Sequence, residues 1–461
     1  MILGGDKMDK SYIKVGFAKV DITPPLGVCM AGYFHKREAE GILDPLYASA
    51  VAISDSNDDI KWILISCDLI GIGAGYLDAA REMIGERLGL SKEQVMIHST
   101  HTHTGPHVNS VEDKEKAKQM GGPDDAYMKM LERKIADAAQ IASNDLKYAT
   151  MDTGYGSEES ISFIRRFRMK DGNITTNPGI GNPDIVEPIG EIDSAVGVVR
   201  FKYVDGSGEL LVVNFTLHPD ITSGSLFSAD YPGHMRRAVE RQIPSCKVLY
   251  INGAAGDINH IDAMNPGHTS GGYEYAKKVG NILAAEVLKV YNRLDTPKEE
   301  EEVGGKHNIC SGCNPIDIPL RKISDEQVEK AYKDIQSFYD GTWSVPGAGM
   351  VSIAAISSAF QTVKISKLGS SMPFEIQAVV VDHVAYVGIP GEVFSQIGRR
   401  IKEGSPFANT FISSLTNGSH GYLPTRAAFQ EGGYEANNNP FTEELEDLLV
   451  ENALQLLNSL K

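Results

Sequence analysis

At 461 residues, with 8% aromatics and 46 glycines, the chain can bury a large core and reads as a globular protein rich in turns. Its formal net charge of −17 repels polyanions, which argues against nucleic acid and anionic membrane surfaces as main partners. No apolar run is long enough to span a bilayer and the first residues lack the basic-then-apolar layout of a secretory signal, so a cytoplasmic protein with no stable membrane anchor is the expectation.

Residues Lys14 to Ile22 alternate apolar and polar as a half-buried strand does, and Thr23-Pro24-Pro25 stops it. The small residues around Met30-Ala31-Gly32-Tyr33 predict a loop that passes close to something. Two apolar strands follow, Leu46 to Ile53 and Lys61 to Ile70. The Gly71-Ile72-Gly73-Ala74-Gly75 turn then leads into a helix over Tyr76 to Leu88. Its glycine spacing is not that of a dinucleotide loop, so it reads as a plain strand-to-helix turn.

A short strand, Val95-Met96-Ile97, runs into His98-Ser99-Thr100-His101-Thr102-His103-Thr104-Gly105-Pro106-His107. Residues i and i+2 of an extended segment point the same way, so His101 and His103 can grip one metal ion, or one can bind it while the other works on substrate. The alternative is buried histidines satisfied by backbone carbonyls.

Asp125 to Asn144 has helical periodicity. Arg165, Arg166 and Arg168 then make an unusually basic spot, either a solvated strand edge or an anion clamp, before a Gly-, Pro- and Asn-rich stretch from Asp171 to Glu191 that predicts a surface loop. Strands over Ala195 to Val204 and Glu209 to Thr216 lead to His218-Pro219-Asp220, and a strand over Lys247 to Ile251 leads to Asn252-Gly253-Ala254-Ala255-Gly256-Asp257-Ile258-Asn259-His260. In both places an apolar strand ends in polar residues at a turn, where α/β enzymes put working groups. The glycines and alanines of the second turn would let backbone approach a ligand. A helix over Tyr273 to Tyr291, an acidic linker at Glu299 to Glu302 and a peripheral helix over Asp325 to Asp340 follow.

Further on, strands are predicted at Val351 to Ala359, Lys364 to Leu368, Phe374 to Val381 and Val384 to Ile389, with helices at Phe394 to Lys402 and Glu443 to Leu460. The five cysteines are odd in number and read as reduced thiols; Cys310-Ser-Gly-Cys313 supplies only two of the four ligands of a structural zinc site.

Six segments, in order and spacing, carry a family resemblance. They are GFAKVDITPPLG at 16–27, STHTHTGPH at 99–107, the strand-ending His218, GAAGDIN at 253–259, PGE at 390–392 and GYLPTRAAFQEGGYE at 421–435. Together they resemble the catalytic region of the neutral (alkaline, non-lysosomal) ceramidases across nearly the whole chain, without the immunoglobulin-like domain that follows it in the family. The resemblance implies a mixed α/β (α+β) layered sandwich, central β-sheets flanked by helices, as one catalytic domain over 1–461 with a helical excursion near 320–345. It implies one Zn2+ per chain held by His101, His218, Glu392 and Tyr422, with His103 facing the metal-bound water, Arg165 steadying substrate and Tyr434 donating to the oxyanion.

Two more positions, Asp257 and Asn259, fall in the family's catalytic loop. Asn259 stands where the family has a serine, and an amide side chain forms no acyl-enzyme, so metal-activated water is left as the nucleophile. Phe429 and Ser419 stand where the family has tyrosines. Asp68, Asp220, Asp230 or Asp257 could orient the ligand histidines. The reading is a zinc-dependent hydrolase of an N-acyl small molecule. The alternatives are an amidohydrolase barrel acting on a small non-lipid substrate and a non-catalytic zinc-containing binding protein.

Overall fold

The computed structural model describes residues 12–33, 35–55, 59–109, 121–295, 307–344 and 350–461. The alternating segments pair into two sheets. Strands β1 (Ile13–Asp21), β2 (Tyr47–Ser54), β3 (Ile60–Cys67), β4 (Val95–Ser99), β5 (Lys147–Ser157), β6 (Ala195–Tyr203), β7 (Glu209–Phe215) and β8 (Cys246–Asn252) form the larger, in the order β8-β7-β6-β5-β1-β2-β3-β4. Its central ladders are antiparallel, while β3–β4 and β7–β8, one pair at each edge, are parallel. The smaller sheet runs β9 (Ile309–Pro319), β10 (Ser371–Val381), β11 (Val384–Ile389), β12 (Asn409–Ser414), with β11 and β12 parallel. An open sheet of mixed pairs is not an alternating barrel, so the amidohydrolase-barrel alternative falls.

Period-2 alternation explains the layers, because successive side chains enter opposite cores. On β2, Ala48, Ala50 and Ala52 meet helices α1 (Ala74–Leu88) and α2 (Asp125–Asn144), while Val51 and Ile53 face the second sheet. On β8, Val248 and Tyr250 pack under α3 (Asp230–Gln242) and α4 (Tyr273–Leu294), while Leu249 and Ile251 share a core with Val379, Tyr386 and Phe411. The outer face of the smaller sheet, with Ile376, Val380 and Val387, is covered by α7 (Ser395–Gly404) and α8 (Leu445–Ser459). The result is a four-layer stack, helices–sheet–sheet–helices, the mixed α/β sandwich expected. Each fully buried branched side chain in it contributes about 1.5–3 kcal/mol.

The strands read at Val351 to Ala359 and Lys364 to Leu368 are instead mostly one helix, α6 (Met350–Ile365). Its β-branched residues favour a strand locally, but Ile356, Ala359 and Val363 recur at helical spacing and pack against Ala331 and Ile335 of α5 (Asp325–Tyr339). The stretch at 171–191 is not wholly loop, since Ile174–Thr176 and Ile185–Pro188 pair with Arg166–Met169. Cys310 and Cys313 lie on β9 as free thiols. The acidic run Glu299 to Glu302 lies outside the described residues. Among the described residues no helix is long and apolar enough to cross a membrane.

Candidate metal centre

Four side chains reach one cavity from the ends of parallel-paired strands. His101 follows β4, His218 follows β7, Glu392 follows β11, and Tyr422 follows β12. The short segments Glu392–Val393 and Tyr422–Leu423 pair in parallel, which sets the last two side by side. The cavity has a volume of about 460 Å³.

His101, His103 and His218 converge there. Their Nε2 atoms stand 3.1 Å (His101–His218), 3.3 Å (His101–His103) and 3.0 Å (His103–His218) apart. Each ring is tied at its other nitrogen to a main-chain carbonyl: His101 Nδ1 to Ile70, His103 Nδ1 to Gly32 at 3.1 Å, and His218 Nδ1 to Ala255 at 3.3 Å. A carbonyl only accepts, so each Nδ1 carries the proton and the Nε2 lone pairs face one another. Burial reinforces this by pushing His103 down to about 4 and His218 well below its ordinary value.

Glu392 Oε2 lies 3.4 Å from His101 Nε2 and is a buried oxygen without a hydrogen-bond donor. Lone pairs and an orphaned carboxylate oxygen crowded together repel unless a cation lies among them, so these residues fit a metal ion. The three imidazoles alone are spaced to hold one. By distance, His103 is not set apart from the two histidines to which the family resemblance gave the metal.

The carbonyl anchors replace the carboxylates expected behind the histidines. Asp68 pairs with Arg236 at 2.7 Å, Asp230 accepts from the Thr222 and Tyr231 amides, Asp257 accepts from the amide and hydroxyl of Ser395, and Asp220 accepts from His260 Nδ1 at 3.0 Å. The carbonyls reach the rings because the backbone is bent to bring them there. His101 has φ +76°, a left-handed conformation costly to a residue with a Cβ. Gly32, at φ +96°, lies so close to His103 that a Cβ would come within 2.8 Å of it, which accounts for the small-residue loop read in the sequence. The GAAGD turn also approaches something closely, but it is backbone: a Cβ on Gly256 would stand 2.4 Å from the Glu392 carbonyl.

Arg37 braces the same loop. Its buried guanidinium donates to the carbonyls of His103 (2.8 Å), Gly224 (2.6 Å) and Ala31, and lies over the Tyr33 ring at 4.0 Å. Nothing in the sequence marked it. Arg37→Met is expected to weaken metal binding at this site about tenfold, as loss of an orienting contact does, which competition against a chromophoric chelator measures.

On the far wall, Arg165 donates through Nε to Glu435 (2.8 Å) and through Nη2 to the Gly256 carbonyl (2.7 Å), and lies over the Tyr422 ring at 5.2 Å. Arg165 lines the cavity, whereas Arg166 is tied to Glu431 and the Gly432 carbonyl. Tyr434 packs edge-on to Tyr422, ring centres 5.5 Å apart. Burial, with the Glu392 charge, pushes the Tyr422 phenol well up despite the Arg165 guanidinium over its ring, so only a metal ion bound at its oxygen would make it a phenolate. Asn259 is one step back from the cavity, donating to Asn177 Oδ1 at 2.6 Å, and Asn177 lines the wall. Asp257 is turned to Ser395, and burial raises its carboxyl to about 6. His98 follows the plainer alternative, its ring nitrogens meeting the carbonyls of Ser99 and Tyr250.

No family model matches the sequence, and no curated protein matches it. The structure superposes on the crystal structure of neutral ceramidase from Pseudomonas aeruginosa with a TM-score of 0.72 at 16% identity, covering 97% of this chain and 75% of that one. The chain has the neutral ceramidase fold. A structure described as ceramidase complexed with C2 matches at TM-score 0.70 and 15% identity, over 97% of this chain and 76% of that one. The ceramidase fold accounts for strands far apart in sequence bringing their ends to one cavity; the chemistry there rests on this chain's own residues.

Proposed function

We propose that this chain is a zinc-dependent hydrolase that cleaves the amide bond of an N-acyl small molecule with metal-activated water. The reading is carried by the three unprotonated Nε2 atoms and the orphaned Glu392 oxygen turned to one point. A zinc ion bound there would supply a Lewis acid and lower the pKa of a coordinated water to about 7. His101, His218 and Glu392 would hold it, with Tyr422 completing the set. His103, neutral at pH 7, would accept the proton of the attacking water at Nε2. Arg165 stays charged because the nearby carboxylates of Glu435 and Glu392 offset the cost of its burial. Two of its nitrogens are engaged by Glu435 and Gly256, and with Tyr434 it would steady the oxygen that gains charge as water adds to the carbonyl.

Asn259 in the place of the family serine supports this route, since the chemistry needs no side-chain nucleophile. The same substitution favours a second reading, a zinc-containing binding protein. The deciding experiment is metal analysis of the purified protein together with hydrolysis of a panel of short N-acyl amides. One equivalent of zinc and cleavage that EDTA stops and added zinc restores is the expected result. Zinc without any EDTA-sensitive cleavage would sink the hydrolase reading and leave the binding protein.

A further inference from the structure

The cavity contains a carboxylate that neither metal holding nor the oxyanion uses. Asp220 lines the cavity two residues beyond His218, its side chain 23% exposed. His260 Nδ1 donates to Oδ1 at 3.0 Å and is itself buried, so it fixes the carboxylate's orientation. Asp220 Oδ2 accepts no hydrogen bond among the described residues. The one arginine of this wall, Arg165, is already matched by Glu435 and donates to the Gly256 carbonyl. Tyr33 lines the same cavity but carries the Arg37 guanidinium over its ring, so the charged group left open to a ligand on this side is the oriented Asp220 carboxylate.

An anion with one oxygen held and one open to a cavity is a receptor for an N–H donor, and a cationic donor gains most, in a charge-assisted bond. A substrate carboxylate or phosphate would meet repulsion. Resting on the hydrolase reading above, we propose that Asp220, oriented by His260, recognises a protonated amine, so that the substrates are N-acyl amines bearing a second, ammonium group a few carbons from the amide. Such a spacer keeps the ammonium away from the zinc charge. In the reaction the amide C–N bond breaks as a water oxygen joins the carbonyl carbon, giving a carboxylate and a diamine whose new amino group takes up the released proton.

The test compares three probes on the zinc-loaded enzyme: N-acetyl-1,4-diaminobutane, the neutral N-butylacetamide, and N-acetyl-4-aminobutyrate. Expected is a kcat/KM for the diamine derivative at least about tenfold above the neutral amide and higher still above the carboxylate. In Asp220→Asn the first ratio falls towards one and the carboxylate probe improves relative to the neutral amide, a relative gain that misfolding would not produce. Equal loss on all three probes in Asp220→Asn would overturn the proposal, as would an unchanged ratio, while EDTA-sensitive cleavage of N-butylacetamide would keep the hydrolase reading. If no probe is cleaved, calorimetric titration decides. Tighter binding of the diamine derivative, lost in Asp220→Asn, upholds the recognition and sinks the hydrolase; equal binding of all three sinks both.

Discussion

His218→Ala protein is expected to lose the bound metal and, with it, at least about a thousandfold in the proposed amide hydrolysis, because metal activation is what would make water a nucleophile at neutral pH. The imidazole is buried, lies just beyond β7 and supplies one of three converging Nε2 atoms, so no neighbour can take its place. Its removal leaves a small cavity at a strand end. The far-ultraviolet circular dichroism should therefore match the parent, which separates a lost ion from a lost fold. Zinc content by atomic emission and turnover of the best amide substrate are the measurements. Retention of a full equivalent of zinc with unchanged turnover would show that the histidines do not hold the catalytic ion.

The largest effect on stability is expected away from the ligands. Asp68 is wholly buried at the end of β3, where it meets Arg236 of α3 at 2.7 Å and accepts from the Tyr47 amide at 3.0 Å. The Thr100 hydroxyl, one residue before His101, lies 3.4 Å from its other oxygen. Asp68→Ala leaves the Arg236 guanidinium buried without its counter-charge, a loss of about 3–5 kcal/mol. A drop of this size in the unfolding free energy, read from a urea titration at constant m, is the expected outcome. A change under about 1 kcal/mol would mean that the charge finds water or another partner.

The sequence revealed the layers and the main site histidines, since both are written in side chains. Alternation in β1 and the apolar runs of β2 and β8 mark the strands, and the dense histidines after β4 mark a site. Hidden from it was what depends on the main chain or on distant pairing. The Nδ1 anchors are carbonyls of Ile70, Gly32 and Ala255, and a carbonyl leaves no trace in residue type. Helix α3 was obscured by Pro232 and Gly233 in its first turn, where proline is tolerated because the amide it lacks has no partner there. Helix α6 was misread because tertiary contact with α5 outweighs the local preference of valine and isoleucine for strands. Glu435, the partner of Arg165, sat in view within the GGYE segment, but its role needs 270 residues of chain to be folded back.

The cavity draws His101 and His218 from the larger sheet and Glu392 and Tyr422 from the smaller. An ion gripped by both sets, as proposed, would therefore be a rivet through the middle of the sandwich as well as a reagent. Its binding energy would add to the adhesion of the two layers, so that the tightness of the metal and the tightness of the body would rise and fall together.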